Sequence, residues 1–290
     1  NFSIMMNSML NIFKSFLYHL KESVLSPLPF RVYWTSILMG KLKIGTFKQR
    51  LDMDAVIYPG YAYSMYNSAL QAKALGIRKI SAIEFGVATG HGLLAMEQHA
   101  REIEKELGVE YEVFGFDMGT GLPKPTDYKD QGYFWAESSF EMNEERLRST
   151  LHSAKLIMGD VDFTIEEFMQ KEKSSPIGFI SFDLDFYSST LASFKIFSFN
   201  ENMFLPRVEC FMDDVCSTEL LIASKGTGVL KAIIDFNETS KTFKKILKKE
   251  GVSFLRRFRS NWHDKIYVFH NFNHPKYSES VIKIQKTSQI

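Results

Sequence analysis

The residues best suited to chemistry in this sequence are acids set beside glycines. The first group is Glu84-Phe85-Gly86-Val87-Ala88-Thr89-Gly90-His91-Gly92. Gly86 and Gly90 let the backbone turn tightly and approach a ligand that a Cβ would push away. A dinucleotide loop reads G-x-G-x-x-G and seats pyrophosphate on a helix N-terminus. Here the spacing is G-x-x-x-G-x-G, with Glu84 two residues ahead of the first glycine. A carboxylate there repels pyrophosphate and suits a cation, such as a sulfonium that also carries an ammonium group. Asp117 can accept from both hydroxyls of a ribose; it also suits the start of the turn before Gly119. Asp160 can accept from an adenine amino group while Val161 packs on the ring, or Asp160 can cap the next helix.

A second group is carboxylate alone. Asp185 follows one apolar segment, and Asp213 and Asp214 follow the next. If those segments are neighbouring strands, the three acids converge. Oxygen-only ligands of this kind suit Mg²⁺ or Mn²⁺. Without a cation the carboxylates would raise one another's pKa. With one, a bound hydroxyl becomes more acidic and is held in line for transfer. In the absence of a metal Asp185 is the candidate general base, and helix capping is the non-catalytic alternative for all three. Asp183 shares a strand face with Asp185 and either orients the site or touches the cofactor. Tyr187 and Ser188 open the following helix and are candidates for the wall of a substrate pocket.

These groups need a framework that brings them together, and the chain supplies one. Helical spacing runs from Tyr61 to Leu75 and stops at Gly76, a C-terminal cap. Strands are expected at 79–85, 112–117, 154–158, 177–182 and 207–212, with helices at 93–107, 165–171 and 229–237 between or after them. Two late strands, 252–258 and 265–270, are expected to pair antiparallel. Such alternation predicts an α/β Rossmann-like fold with a mostly parallel seven-stranded sheet, helices on both faces and an antiparallel C-terminal strand pair. Ligands then bind beyond the carboxyl ends of the strands, where every acid named above lies. Residues 1–57 lack the alternation and read as an N-terminal helical cap or extension to a domain over 58–290.

The phrases E-x-G-x-x-x-G, F-D-M-G-T-G-L-P, G-D-V, F-D-L-D-F-Y-S-S-T and M-D-D together resemble the class I S-adenosylmethionine (SAM)-dependent methyltransferases. They look closest to the metal-dependent O-methyltransferases related to macrocin O-methyltransferase, which act on sugars of macrolide and aminocoumarin antibiotics. They are also similar to a broad group of bacterial methyltransferase-like proteins. The resemblance covers roughly residues 58–270. It implies that Glu84 touches the methionine moiety of SAM, Asp117 its ribose and Asp160-Val161 its adenine. It also makes Asp185, Asp213 and Asp214 ligands of Mg²⁺ or Mn²⁺. One departure is that catechol-type enzymes carry asparagine where Asp214 stands, whereas the macrocin-type group has Asp-Asp. The implied reaction is methylation of a hydroxyl on a small molecule. A metal enzyme resembling cephalosporin-hydroxylase proteins, and a non-catalytic SAM-binding module, remain the alternatives on the same scaffold.

Bulk properties narrow the classes further. Formal net charge is +1, so no global field draws nucleic acid or an anionic surface. The two cysteines, Cys210 and Cys216, make neither a disulfide framework nor a zinc cluster, which suits a reducing cytoplasm. The segment Ile4 to Leu20 is amphipathic with Met5, Met9, Ile12, Phe13, Phe16, Leu17 and Leu20 at helical spacing. It is too polar for the roughly 20 apolar residues of a membrane span. It reads as a docking helix, with a peripheral membrane helix as the alternative, and an exposed apolar face would invite a homodimer. Lys241, Lys244, Lys245, Lys248 and Lys249 read as the solvated face of a helix. His91 and His263 are secondary candidates for contact with donor and acceptor, and Tyr61 and Tyr63 stand open between packing and ligand contact. The acceptor is expected to be chosen by the N-terminal cap and by Lys124 to Met142.

Overall fold

In the computed structural model of the chain, the residues described are 30–171, 174–216, 218–222, 224–240 and 243–279, with Lys14 and Leu17. The expected amphipathic segment from Ile4 to Leu20 lies outside them apart from those two positions. A division into two compact units falls between Val56 and Ile57. The first contains α1 (Phe30–Leu42) and α2 (Phe47–Asp52). Thr46 caps α2 through the amide of Gln49, and the Gln49 side chain returns a bond to the Thr46 amide, the reciprocal arrangement that satisfies two helix-end donors.

The second unit opens with α3 (Pro59–Ala74), where Pro59 occupies the first turn and so costs no hydrogen bond. Gly76, at φ 73°, ends it as expected. Alternation then begins with β1 (Lys79–Phe85), α4 (His91–Leu107), β2 (Glu110–Asp117), α5 (Glu144–Thr150), β3 (Lys155–Met158) and α6 (Val161–Lys171). It continues with β4 (Ile177–Phe182), α7 (Tyr187–Ser193), β5 (Phe204–Met212), α8 (Gly228–Thr239), β6 (Lys244–Lys248), α9 (Val252–Leu255) and β7 (Ile266–Asn271). The seven strands form one sheet in the order β3-β2-β1-β4-β5-β7-β6, parallel except where β7 pairs antiparallel with β5 and β6. β1 and β4 are buried almost throughout, as their near-continuous apolar runs require when both faces are covered.

Alternate side chains on those strands serve two layers. Ile83, Phe85, Phe114, Phe116, Ile180 and Phe182 share one core with Ile165 and Phe168 of α6, Phe194 beyond α7 and Ile233 of α8. Phe197 stacks on Phe269 of β7 with ring centroids 3.8 Å apart. Each such fully buried side chain contributes on the order of 1.5–3 kcal/mol of transfer free energy. On the opposite face α3 packs over β1, β4 and β5 and against α4. There the strands carry polar exceptions: Glu84 and Ser181 are directly paired in the β1–β4 register and both point toward α3. A buried acid on a central strand is costly unless something uses it.

Two expectations for the C-terminal region need correction. The antiparallel partner of β7 on the sheet's outer side is Lys244–Lys248, not 252–258, and Lys244, Lys245 and Lys248 lie on that strand and not on a helix face, with Lys241 outside the described residues. Lysines on an edge strand block further pairing, and their stems and charges have local acceptors: Lys244 on the carbonyls of Phe197 and Phe199, Lys248 on Asp264. Gly251, at φ 79°, turns the chain out of the sheet, so Val252–Leu255 forms one helical turn instead.

Candidate functional site

β1 and β4 are neighbours whose connections leave in opposite directions along the sheet, which opens a crevice at their carboxyl ends. Gly86 sits at that point with φ 83°, and a Cβ there would lie 1.7 Å from the carbonyl oxygen of Asp183. Only glycine lets the two strand ends meet. Gly90, also at φ 83°, is the N-cap of α4, and a Cβ there would strike Leu147 at 2.2 Å. Between them Ala88 holds φ 46°, an unusual conformation for a residue with a side chain. The strain is compensated by Asp117, whose Oδ2 accepts from the amides of Val87 (2.7 Å) and Ala88 (2.9 Å) while Oδ1 accepts from Gly119 (2.6 Å). Asp117 therefore ties the β1 loop to the β2 loop. Asp160 accepts from the Asp162 amide at 2.9 Å, which caps the start of α6 and leaves its second oxygen available.

Glu84 lies beneath the glycine loop at 2% exposure. Its Oε1 accepts from the Tyr61 hydroxyl at 3.0 Å, and that hydroxyl accepts in turn from Ser181 Oγ at 2.6 Å. Oε2 is buried with no hydrogen-bond partner. Gly92 passes so close that a Cβ would stand 2.0 Å from Oε1. Burial pushes the Glu84 carboxyl up to about 8; the Tyr61 bond works against that rise, while Asp117 and Asp213 add to it. Tyr61 thus resolves as a buried partner of Glu84. It would have been found from sequence only by knowing that α3 packs over the β1–β4 pair.

At the ends of β4 and β5 the carboxylates are less well compensated. Asp183, Asp213 and Asp214 each bring an oxygen within 4.8 Å of the others. Asp185 takes a left-handed backbone, φ 60°, and donates its own amide to Asp214 Oδ2 at 3.2 Å. The tight trio is therefore completed by Asp183, which directly follows β4, where spacing had placed Asp185, two residues further on with its left-handed backbone. Desolvation first, then Asp213, Asp214, Asp185 and Glu84, hold the Asp183 carboxyl well above the usual range. Asp214 is raised by burial and then by Asp185 and Asp213; Asp185 is pushed to about 7 by burial and by Asp213. Among the described residues, the cation that reaches this group is Lys265, whose Nζ donates to Asp213 Oδ1 at 2.7 Å. One ammonium against four carboxylates leaves net negative charge, and three oxygens at this separation form a donor set suited to Mg²⁺ or Mn²⁺.

All of this surrounds one cavity of 380 Å³, within the range of small-molecule sites. Gly86, Asp117, Asp160, Val161, Asp183, Asp185, Asp213 and Asp214 line it. Glu84 and Gly90 do not: one supports the loop from below, and the other starts α4. The remaining wall comes from Met118, Leu122, Trp135 and Phe140, which no spacing flagged singly although Trp135 and Phe140 belong to the segment expected to choose the acceptor. That segment is pinned by Asp130, whose fully buried carboxylate accepts from Thr126, Asp127 and, at 2.8 Å, the Ser188 amide at the start of α7. Tyr187 is tied to Asp235 at 2.8 Å and does not line the cavity, whereas Ser189 does. His263 is buried beside Trp262 and lies apart from the cavity wall, and His91 is exposed at the head of α4.

No family model matches the sequence, and no curated protein matches it either. Solved structures do. The O-methyltransferase NovP matches with TM-score 0.50 at 14% identity, over 73% of this chain and 80% of its own. The calicheamicin methyltransferase CalS11 matches with TM-score 0.47 at 18% identity, over 90% and 93%. The mycinamycin-pathway methyltransferase MycE, solved with Mg, S-adenosylhomocysteine and mycinamycin VI, matches with TM-score 0.35 at 13% identity, over 69% and 46%. The likeness to NovP, with the strand order above, defines the class: this chain has the Rossmann-like methyltransferase fold.

Proposed function

We propose that the protein is a SAM-dependent methyltransferase that methylates a hydroxyl of a small molecule, assisted by a divalent cation. The observation that carries this reading is the union of two half-sites in one cavity: the glycine loop with Asp117 and Asp160-Val161 on one side, and Asp183, Asp185, Asp213 and Asp214 on the other. Gly86 leaves space that a Cβ would fill, and Glu84 keeps one buried oxygen unpartnered just below. Both features suit a donor that combines a cationic end with a ribose and a base. When bound, SAM supplies an electrophilic methyl on a sulfonium, and the cation makes an acceptor hydroxyl more acidic.

The protein's own contribution is chiefly position and charge. Asp117, already fixed by three backbone amides, presents carboxylate lone pairs toward the ribose site. Asp160 and Val161 offer an acceptor and an apolar surface for the base. Asp183, Asp213 and Asp214 would hold the metal, and Asp185, near neutral pKa and at the cavity wall, is placed to take the acceptor's proton. Met118, Leu122, Trp135 and Phe140 exclude water from the transfer. A sugar or other secondary metabolite fits a pocket with an acidic floor and an aromatic wall.

Calorimetric titration with S-adenosylhomocysteine, with Mg²⁺ and with EDTA, tests the proposal. Micromolar binding that Asp117→Ala abolishes supports it and justifies screening hydroxylated acceptors. No binding under either condition would sink it.

A further inference from the structure

A second surface lies outside the cavity, on the turn between β6 and β7. Phe254 and Leu255 are the most exposed large apolar side chains among the described residues, at 93% and 82%. The turn that carries them is not slack. Val252 and Phe258 are buried on either side, and the amides of Phe254 and Leu255 both donate to the Gly251 carbonyl. Arg256 lies over the rings of Tyr63 and Trp262, 5.8 and 5.2 Å from their centroids. Two apolar side chains are therefore held outward by a fixed base. Arg257 and Arg259 flank them, exposed and without an ion pair among the described residues.

We propose that this turn docks the protein on an anionic lipid surface. Phe254 and Leu255 enter the boundary between headgroups and acyl chains, and Arg257 and Arg259 meet the lipid phosphates. Apolar side chains at the tip with cations at the rim are the arrangement that interfacial binding needs, since each signal alone is weak and the two together hold. The charges select this occupant over the others. A second copy of the chain docking through the same face would bring two sets of unpaired arginines together. Single-stranded nucleic acid stacks successive bases on several aromatic faces, and at the tip of this turn Phe254 offers one and Leu255 none. The inference does not depend on the methyl-transfer reading, because none of these residues lines the cavity.

Co-sedimentation of the full chain with vesicles is the test, using phosphatidylcholine alone or mixed with phosphatidylglycerol. The expected result is binding to the mixed vesicles only, weakened by salt. The double variant Phe254→Ser with Leu255→Ser should lower partitioning about tenfold or more. Arg257→Gln with Arg259→Gln should lower it and flatten the salt dependence. Because all four side chains are exposed, the melting midpoint should hold, and Phe254→Ser alone serves if the double variant melts early. Absence of wild-type binding to mixed vesicles, or binding that both Phe254→Ser variants leave unchanged, overturns the proposal. So does concentration-dependent self-association that the same variants abolish, which would assign the turn to a second copy.

Discussion

The two halves of the cavity handle charge in opposite ways. On the β1–β2 side, Asp117 spends its carboxylate on three backbone amides, so the loop has its shape before any ligand arrives. On the β4–β5 side, four carboxylates share one ammonium among the described residues, and burial and neighbouring acids raise the pKa values of Asp183, Asp185 and Asp214. The first half is built by internal hydrogen bonds; the second awaits a positive charge. The contrast shows which part of the site the fold stabilises and which part the fold must support at a cost, since uncompensated buried acids destabilise unless protonated or paired.

The strongest way to break the first half is Gly86→Ala. With a positive φ and a Cβ 1.7 Å from the Asp183 carbonyl, the β1 and β4 ends must separate. A loss of about 3–5 kcal/mol in chemical denaturation is expected, comparable to severe core defects, together with loss of S-adenosylhomocysteine binding. Asp117→Ala frees three amides at once and should cost about 2–3 kcal/mol. Its donor affinity should fall further than its stability alone explains, which calorimetry at a temperature well below the melt will show.

Asp214→Asn sharpens the comparison because its sign is opposite. Removing one of the clustered charges should stabilise the metal-free protein by about 1–2 kcal/mol, while Asn can still accept from the Asp185 amide. The rise in melting temperature expected from Mg²⁺ in the wild type should shrink or vanish. A variant that is destabilised without metal would refute the idea of uncompensated charge on this side.

Glu84 gives the most specific effect, a dependence on pH. Its folded pKa of about 8 exceeds the unfolded value of 4.5, so the folded state binds the extra proton. Its contribution is fully present below pH 4.5 and is lost as pH rises through 8. Stability of the ligand-free protein should therefore fall between those limits, and Glu84→Gln should flatten that part of the profile. Tyr61→Phe removes the hydrogen bond that favours the charged form, moving the fall to higher pH. The accompanying loss should be about 1 kcal/mol, read by denaturation at pH 5 and pH 8.

The strand runs 79–85 and 177–182 were legible because strands buried on both faces must be almost wholly apolar, and the G-x-x-x-G-x-G loop was legible because glycine marks backbone that no other residue tolerates. From those two signals follow the parallel sheet and the position of the acids at strand ends. The Lys244–Lys248 strand was hidden because an edge strand exposes one side to water and need not look apolar. Its place was decided by pairing with β7, a contact that leaves no local period.

What the sequence determined by itself is therefore the order of elements and the inventory of charged groups near the crevice, both set by local chemistry. Tertiary structure alone decided which of those groups meet. Asp183, directly after β4, meets Asp213 and Asp214 where β5 ends alongside, and Tyr61 reached Glu84 because α3 crosses two neighbouring strands. Distances between side chains from separate elements depend on packing angles and bends that are summed over the whole sheet, and spacing along one chain does not encode them.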